Sequence, residues 1–357
     1  MEDALNSVLS AHKLIIDDEI KSYFSDQIKL LSQNNTISSL GLDALNHLKE
    51  FSLRPAKRVR GTLTAIAYES FIADVNDNTG KIAALAMELI QNYLLIVDDV
   101  MDLSETRRGK PSIQNLYMKQ GKYSEHISNM LAVNIGLIAS HLANVIIANL
   151  KIDKELIVSS LEVMNRNIVL TGYGQIDDIS QSISKPATEQ QIIQKYALKS
   201  GYYTFVNPLQ LGVILSGKKS KKFLKDIEDF GINAGIAFQL KDDLLGIFGD
   251  TKKTGKSNLD DLREGKYTLL VDHCLKLADP KDLQFLKFRL GNKNASQKDL
   301  VEIKRIIIST GSLKYIEEKI DSYANKAISS LEKCTYWPPI TKNLLSNLVL
   351  CTAGRRS

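Results

Sequence analysis

The sequence predicts an all-α protein, a large single-domain helical bundle. Three observations predict it. The 357 residues include only seven prolines. Apolar residues recur at three- and four-residue intervals through most of the chain, and alternating strand patterns bounded by turns are scarce. Hydrophobic residues at 44% and charged residues at 24% fit a soluble globular chain with one large core, so one domain is expected over 1–357.

The first helix is expected near 42–52, on the pattern LDALNHLKEFSL. A second, near 58–73, follows a basic cluster of Arg54, Lys57, Arg58 and Arg60. The third, near 80–103, is the apolar run KIAALAMELIQNYLLIVDDVMDL, which ends in acids. The fourth, near 126–150, has no formal charge from Ile127 to Leu150, long enough to raise a membrane span. Its Ser128, Asn129, Asn134, Ser140, His141, Asn144 and Asn149 would be costly in lipid, so a buried core helix is expected and no transmembrane segment. Further helices are expected near 154–184, 187–213, 220–247, 267–277 and 297–334. Loops fall at Arg108-Gly109-Lys110-Pro111 and along GDTKKTGKSNLDDLREGK, where glycines and charges break the pattern.

Charge and cysteine usage limit the function classes. Lys and Arg exceed Asp and Glu by 46 to 41, too small and scattered an excess for a nucleic-acid footprint. Cys274, Cys334 and Cys351 lack zinc or redox spacing and fit a reducing compartment, so a cytoplasmic location is expected. The N-terminal stretch is acidic and interrupted by charge, unlike a signal or transit peptide.

The chemistry-bearing residues sit at two helix ends. Asp98-Asp99-Val100-Met101-Asp102 ends the run IQNYLLIV, and positions 98 and 102 lie one turn apart on one face, where their carboxylates can converge. Carboxylate oxygens suit Mg²⁺, which keeps its other positions for water and substrate phosphates. Asp242-Asp243, in FQLKDDLLGIFGD, ends a second apolar stretch. A solvated helix face explains one acidic pair more often than a metal does, but two such clusters inside apolar runs favour metal. Between them, Gln175 and Asp178 share a helix face.

Cationic clusters follow. Arg107-Arg108 comes directly after the first acidic motif, Lys195 and Lys199 are one turn apart in KYALKSGYYTF, and Lys256 and Lys266 flank the glycine-containing loop. Arg binds phosphate oxygens as a fork and Lys as a point charge, although each could equally belong to a solvated surface.

The pieces AKRVR, ELIQNYLLIVDDVMDLSETRRGKP, GQIDD, LKSGYYTF and FQLKDDLLGIFGDTKKTGKSNLDDLREGKYTL, in this order from about Arg54 to Lys266, resemble the trans-polyprenyl diphosphate synthase family, with a basic C-terminus at Arg355-Arg356. The resemblance implies an isoprenoid synthase type I fold around a central cavity, and condensation of isopentenyl diphosphate with allylic diphosphates. It gives Asp98 and Asp102 two Mg²⁺ ions and Asp242 a third, with Asp99 and Asp243 in support. It gives Arg107, Lys199 and Lys256 to the allylic diphosphate and Lys57, Arg60, Gln91 and Arg108 to the isopentenyl diphosphate. Ser200, Gln239 and Lys266 join the substrate-binding set, Gln175 and Asp178 match polar cavity positions, and a homodimer is expected.

The sequence departs from the family pattern at Ala56 and Gly61, which stand for Gly and Pro. Ser200-Gly201 replaces Thr-Ala, Gly246 stands where many members have a third Asp, and Leu137 where an Asp is common. In the family, residues just upstream of the first motif limit product length. Here they are Tyr93 and Leu94, a pattern resembling archaeal-type geranylgeranyl synthases: C20 is expected, with C15 the near rival. Tyr93 could instead be a packed core aromatic. Ideal helix angles place Leu94 nearer the carboxylate face than Tyr93. A terpene cyclase would lack the isopentenyl site, and a regulatory subunit tends to lose its aspartates. His12, His47, His126, His141 and His273 lie outside the matched motifs.

Overall fold

The computed structural model describes residues 2–33, 36–74, 76–183, 187–249 and 258–354. Lys256 and Arg355-Arg356 lie outside them. The described chain is all-α apart from one short hairpin. It forms two compact units, one of residues up to Met164 with Pro208–Lys219, the other of Asn165–Asn207 with residues from Ser220 onward.

The first unit holds α1 (Glu2–Gln33), α2 (Ser39–Ser52), α3 (Val59–Glu69), α4 (Thr79–Met101), β1 (Thr106–Arg107), β2 (Lys110–Pro111), α5 (Ile113–Lys119), α6 (Glu125–Ala148) and the first part of α7 (Lys154–Ile183). Helix α1 was not expected. Besides Leu5, its buried residues Ile16, Ile20 and Phe24 recur every four positions among charges, so the apolar stripe there is narrow. Helix α4 is the centre of this unit, buried along Ala83–Gln91 without a break. Helix α6 packs on it through Ala132, Gly136, Ala139 and Ala143, spaced four, three and four apart, which let the two backbones come close. A Cβ at Gly136 would stand 3.1 Å from Val97 Cγ2 and 3.6 Å from Tyr93 Cδ2.

Both α4 and α6 are long and apolar enough to cross a membrane by length and composition. Helix α4 is mostly buried within the fold. Helix α6, expected as a buried core helix, is buried on one face only and exposes Ile127, Met130, Leu137, Ile138 and Val145 on the rest.

The stretch read as one helix over 187–213 is three segments. Helix α8 (Glu189–Tyr196) opens with a capping box in which Thr188 and Gln191 satisfy each other's backbone N–H groups. It passes into a ten-residue π-helix (Ala197–Val206) and then α9 (Asn207–Leu215). The π-helix sits where backbones crowd: a Cβ at Gly174 would lie 2.5 Å from Lys199 N, and one at Gly235 would lie 2.2 Å from Gly201 Cα. Such wide turns are found mostly as local bulges, frequently at functional sites.

The second unit is built on α10 (Lys221–Phe248), with α11 (Asp260–Glu264), α12 (Leu269–Leu277), α13 (Pro280–Arg289), α14 (Gln297–Ser309), α15 (Ser312–Lys333) and α16 (Pro339–Ala353). Ile236, Leu240, Leu244 and Ile247 of α10 share a core with Leu269, Ile303, Ile306, Ile316 and Ile320. The expected helix 297–334 breaks at Thr310-Gly311, because Gly311 takes φ of 72°, which closes α14 and starts α15. Helices α5, α11, α13 and α16 were also missed, α11 lying within the stretch GDTKKTGKSNLDDLREGK that was expected to be a loop.

Candidate active site

In the first unit, α4 delivers one stripe of polar residues. Gln91, Asp98 and Asp102 are spaced by two turns and then one, so they share a face. Asp102 is the residue after the helix, and its N–H donates to Asp98 O at 2.8 Å to close the last turn. The Asp98 side chain is 27% exposed, whereas that of Asp99 is fully buried.

Asp99 therefore faces inward, onto Arg107. Arg107 Nε donates to Asp99 Oδ1 at 2.8 Å, a second guanidinium N–H bonds the same carboxylate, and Nη2 lies 3.8 Å from Asp98. Burial works against the charge on Arg107, but the bond to Asp99 and the carboxylates of Asp99, Asp98 and Asp102 hold its pKa above the ordinary value.

The segment expected to be a loop is a tight hairpin that aims the two arginines. Thr106 pairs with Pro111 and Arg107 with Lys110, leaving Arg108 and Gly109 as a two-residue turn with φ of 55° and 75°. Positive φ at both positions is the type I′ geometry, costly for an arginine. The flanks hold it in place: Arg54 Nη1 donates to Arg107 O at 3.1 Å, and Lys110 donates to Glu50 at 2.7 Å. Gln114 Nε2 ties Asp99 O and Ser104 O at 2.9 and 3.0 Å. Arg54 is thus a buried strut, paired with Glu50, rather than a surface or phosphate group.

Lys57 is exposed, Arg60 half-buried and Gln91 buried. Between the first two, Arg58 is fully buried with φ of 52°. It donates to Asp17 at 2.8 Å, Glu88 at 3.1 Å and Ser52 O at 2.5 Å. The other oxygen of Glu88 accepts the Gly61 N–H at 3.0 Å, so a side chain of α4 satisfies an N-terminal donor of α3 that Arg58 does not cap. The proline of the family pattern would lack this N–H and could not make the bond.

In the second unit, α7, the π-helix and α10 carry the remaining candidates. Asp178 accepts from Lys199 Nζ at 2.6 Å on one oxygen and pairs with Lys195 Nζ at 3.0 Å on the other. Burial raises its carboxyl, yet the two ammonium groups bring it down to about 2. Ser200 donates to Gln239, Gln239 Nε2 donates to Asp243 Oδ1 at 2.8 Å, and Tyr196 donates to the same carboxylate. The Tyr196 oxygen in turn accepts Leu269 N–H at 3.0 Å. Burial pushes the Asp243 carboxyl up to about 7, against the hydrogen bonds from Tyr196 and Gln239 and with the help of Asp242. Asp242 is exposed, and Lys266 pairs with Glu264 at 2.9 Å. Asn258 donates to Ile247 O and Gly249 O at 3.1 and 2.7 Å, closing the end of α10.

Among the described residues, no three His, Cys, Asp or Glu side chains are grouped to hold a metal. Mg²⁺ is commonly held by one or two carboxylates while substrate phosphates and water complete its shell. Partly exposed Asp98 with Asp102 one turn on, and exposed Asp242, fit that role. Buried Asp99, held by Arg107, and half-buried Asp243, held by Tyr196 with Gln239, fit it poorly.

The sequence model for polyprenyl synthetase matches residues 43–307. The chain belongs to the polyprenyl synthetase family. This synthetase is a prenyltransferase of isoprenoid biosynthesis. It is 29% identical over 343 residues to the geranylgeranyl diphosphate synthase of Saccharolobus solfataricus, covering 95% of this chain and 99% of that one. It is 30% identical over 270 residues to the geranylfarnesyl diphosphate synthase of Aeropyrum pernix, at 75% and 80% coverage. Among solved structures, a geranylgeranyl pyrophosphate synthase from Corynebacterium glutamicum, complexed with isoprenyl diphosphate and magnesium, superposes with a TM-score of 0.86 at 26% identity, covering 96% of the synthetase and 99% of that chain. The type I isoprenoid synthase fold expected from the motifs is the fold of these relatives.

The synthetase also holds site supports that the motifs do not mark. Glu88 interrupts the apolar run AALAMELI, and a charge inside such a run was the signal available, whereas Tyr196, in EQQIIQKYALKS, left no such signal.

Proposed function

We infer that this synthetase condenses isopentenyl diphosphate head-to-tail with an allylic diphosphate, using Mg²⁺, and that its product is geranylgeranyl diphosphate. The observation that carries the reading is the end of α4: two carboxylates one turn apart, followed by a short hairpin that carries Arg107 on its strand and Arg108 in its turn. Carboxylates recruit metal and guanidinium groups grip phosphate oxygens, so together they suit a metal diphosphate.

Asp98, Asp102 and Asp242 would hold the Mg²⁺ ions, three in number. Bound there, the metal supplies Lewis-acid stabilisation of charge on the departing diphosphate. Arg107, Lys199 and Lys256 would grip the allylic diphosphate, while Lys57, Arg60, Gln91 and Arg108 would hold the isopentenyl diphosphate as the acceptor. Ser200, Gln239 and Lys266 complete the polar lining. Heterolysis of the allylic C–O bond leaves a cation that the isopentenyl double bond attacks, and the released diphosphate takes the proton. No histidine is required as base.

The reading treats residues 1–357 as one isoprenoid synthase domain working as a homodimer in the cytoplasm. The exposed apolar side of α6 supports a dimer, and free Cys274, Cys334 and Cys351 agree with a reducing compartment. The test is incubation with Mg²⁺, labelled isopentenyl diphosphate and dimethylallyl, geranyl or farnesyl diphosphate, followed by chain-length analysis. Extension to C20 that chelation abolishes is expected. A C15 end point would overturn the product assignment, and no extension from any primer would overturn the reaction.

A further inference from the structure

Asp178 is one carboxylate with two ammonium groups. Lys199 Nζ lies 2.6 Å from one oxygen and Lys195 Nζ 3.0 Å from the other. The two lysines differ in depth: the Lys199 side chain is 27% exposed, that of Lys195 only 3%. The close approach of Gly174 to the backbone of Lys199 and Leu198 brings α7 and the π-helix together, so the arrangement is built into the backbone. Lys195 also donates to Tyr267 O at 3.0 Å, one residue beyond Lys266.

The formal charge of the three groups is two positive and one negative, a net of one positive. A wholly buried lysine is expensive and is retained only where it is matched. Here the match is Asp178, and the consequence falls on Lys199. With Lys195 present, Asp178 is neutralised from the buried side. Without it, the same carboxylate would neutralise Lys199, and the net charge presented to an anion would fall to zero.

We propose that Lys195 is a positioning residue for the diphosphate: it occupies Asp178 from within, so the positive charge of Lys199 acts on the allylic diphosphate. This rests on the reading of Lys199 as a ligand of that diphosphate. Asp243 also lies within electrostatic reach of Lys195. Lys195 is absent from both the single and the double variant, so any effect on Asp243 is common to the two and does not alter their comparison.

The rival role for Lys195 is a plain structural pin on Tyr267, and charge restoration separates the two. The full-length protein with Mg²⁺ is titrated calorimetrically with farnesyl thiolodiphosphate, an unreactive analogue, for the native chain and for Lys195→Met, Lys195→Met with Asp178→Asn, and Lys199→Gln. Lys195→Met is expected to weaken binding about tenfold, the order of one unit charge at a partly solvated site. The double variant, again carrying one net positive charge, is expected to return to within about threefold of the native chain. Native-like binding by Lys195→Met, or a double variant as weak as the single one, would overturn the proposal. If Lys199→Gln leaves binding unchanged, the reading of Lys199 falls and this inference with it. Weakening by Lys199→Gln alone would leave that reading standing and remove only the role of Lys195. Should Lys195→Met fail to fold, Lys195→Gln, which keeps a donor for Tyr267 O, gives the same comparison.

Discussion

Glu88→Gln tests how the first unit holds its basic turn. Arg58 is fully buried and reaches two carboxylates, Asp17 at 2.8 Å and Glu88 at 3.1 Å. Glutamine keeps the size and an acceptor for Gly61 N–H, so no cavity forms and the loss is electrostatic. Removing a charged partner from a buried pair costs about 3–5 kcal/mol, and Asp17 remains to compensate part of it. A loss of about 2–3 kcal/mol is expected. At about 2 °C per kcal/mol for a chain of this size, the melting temperature should fall by about 4–6 °C. Because Arg58 stands between Lys57 and Arg60, KM for isopentenyl diphosphate should rise more than KM for the allylic substrate. Thermal unfolding by circular dichroism and initial-rate kinetics read the two effects. A shift below about 1 °C would refute the reasoning, since Asp17 and Ser52 alone would then satisfy Arg58.

Three further outcomes follow from the same geometry. Asp98→Asn should raise the Mg²⁺ concentration for half-activation about tenfold, whereas Asp99→Asn should leave it nearly unchanged and cost about 1.5–3 kcal/mol of stability through the loss of the Arg107 pair; Mg²⁺ titration and melting separate them. Gly235→Ala would place a Cβ 2.2 Å from Gly201 Cα, and backbone must move; a loss of about 3 kcal/mol or more is expected in urea unfolding. Asp178, held at about 2 against an ordinary 3.8, contributes about 2 kcal/mol that is fully present above pH 4 or so and is lost as pH falls toward 2. Comparison of native and Asp178→Asn melting from pH 7 to pH 2 should show the pH-dependent part of their difference vanish at the acid end.

What the sequence discloses depends on whether a feature is set locally. Asp98 and Asp102 share a face through helix periodicity alone, and Arg108-Gly109 punctuates the chain whatever surrounds it. The π-helix is different. It forms where the backbones at Gly174, Gly201 and Gly235 meet, and residues 27 and 34 positions apart leave no local pattern. Asp99 and Asp243 read as equals of their neighbours in the motifs, yet the hydrogen bonds that hold them to Arg107 and Tyr196 give them another task. Helix α1 was missed because a stripe as narrow as Ile16, Ile20 and Phe24 is diluted by the charges around it.

Product length depends on which residue of α4 faces the growing chain. Leu94 belongs to the stripe of Gln91, Asp98 and Asp102, one turn before the first carboxylate. Tyr93 stands with Val97, and both lie near the Cβ position of Gly136 on α6. The ring of Tyr93 is therefore committed to the contact between α4 and α6, as a packed aromatic would be. Half-burial of both side chains leaves each able to meet a hydrocarbon as well. If Tyr93 supplies the floor, Tyr93→Ala lengthens the product beyond C20 and Leu94→Phe leaves it unchanged. If the floor lies on the carboxylate stripe, Leu94→Phe shortens the product toward C15, while Tyr93→Ala mainly costs stability, about 2 kcal/mol for a half-buried aromatic, less than the loss of a fully buried one. Chain-length analysis of both variants decides it, and an unchanged distribution in the pair would remove α4 from the control of length altogether.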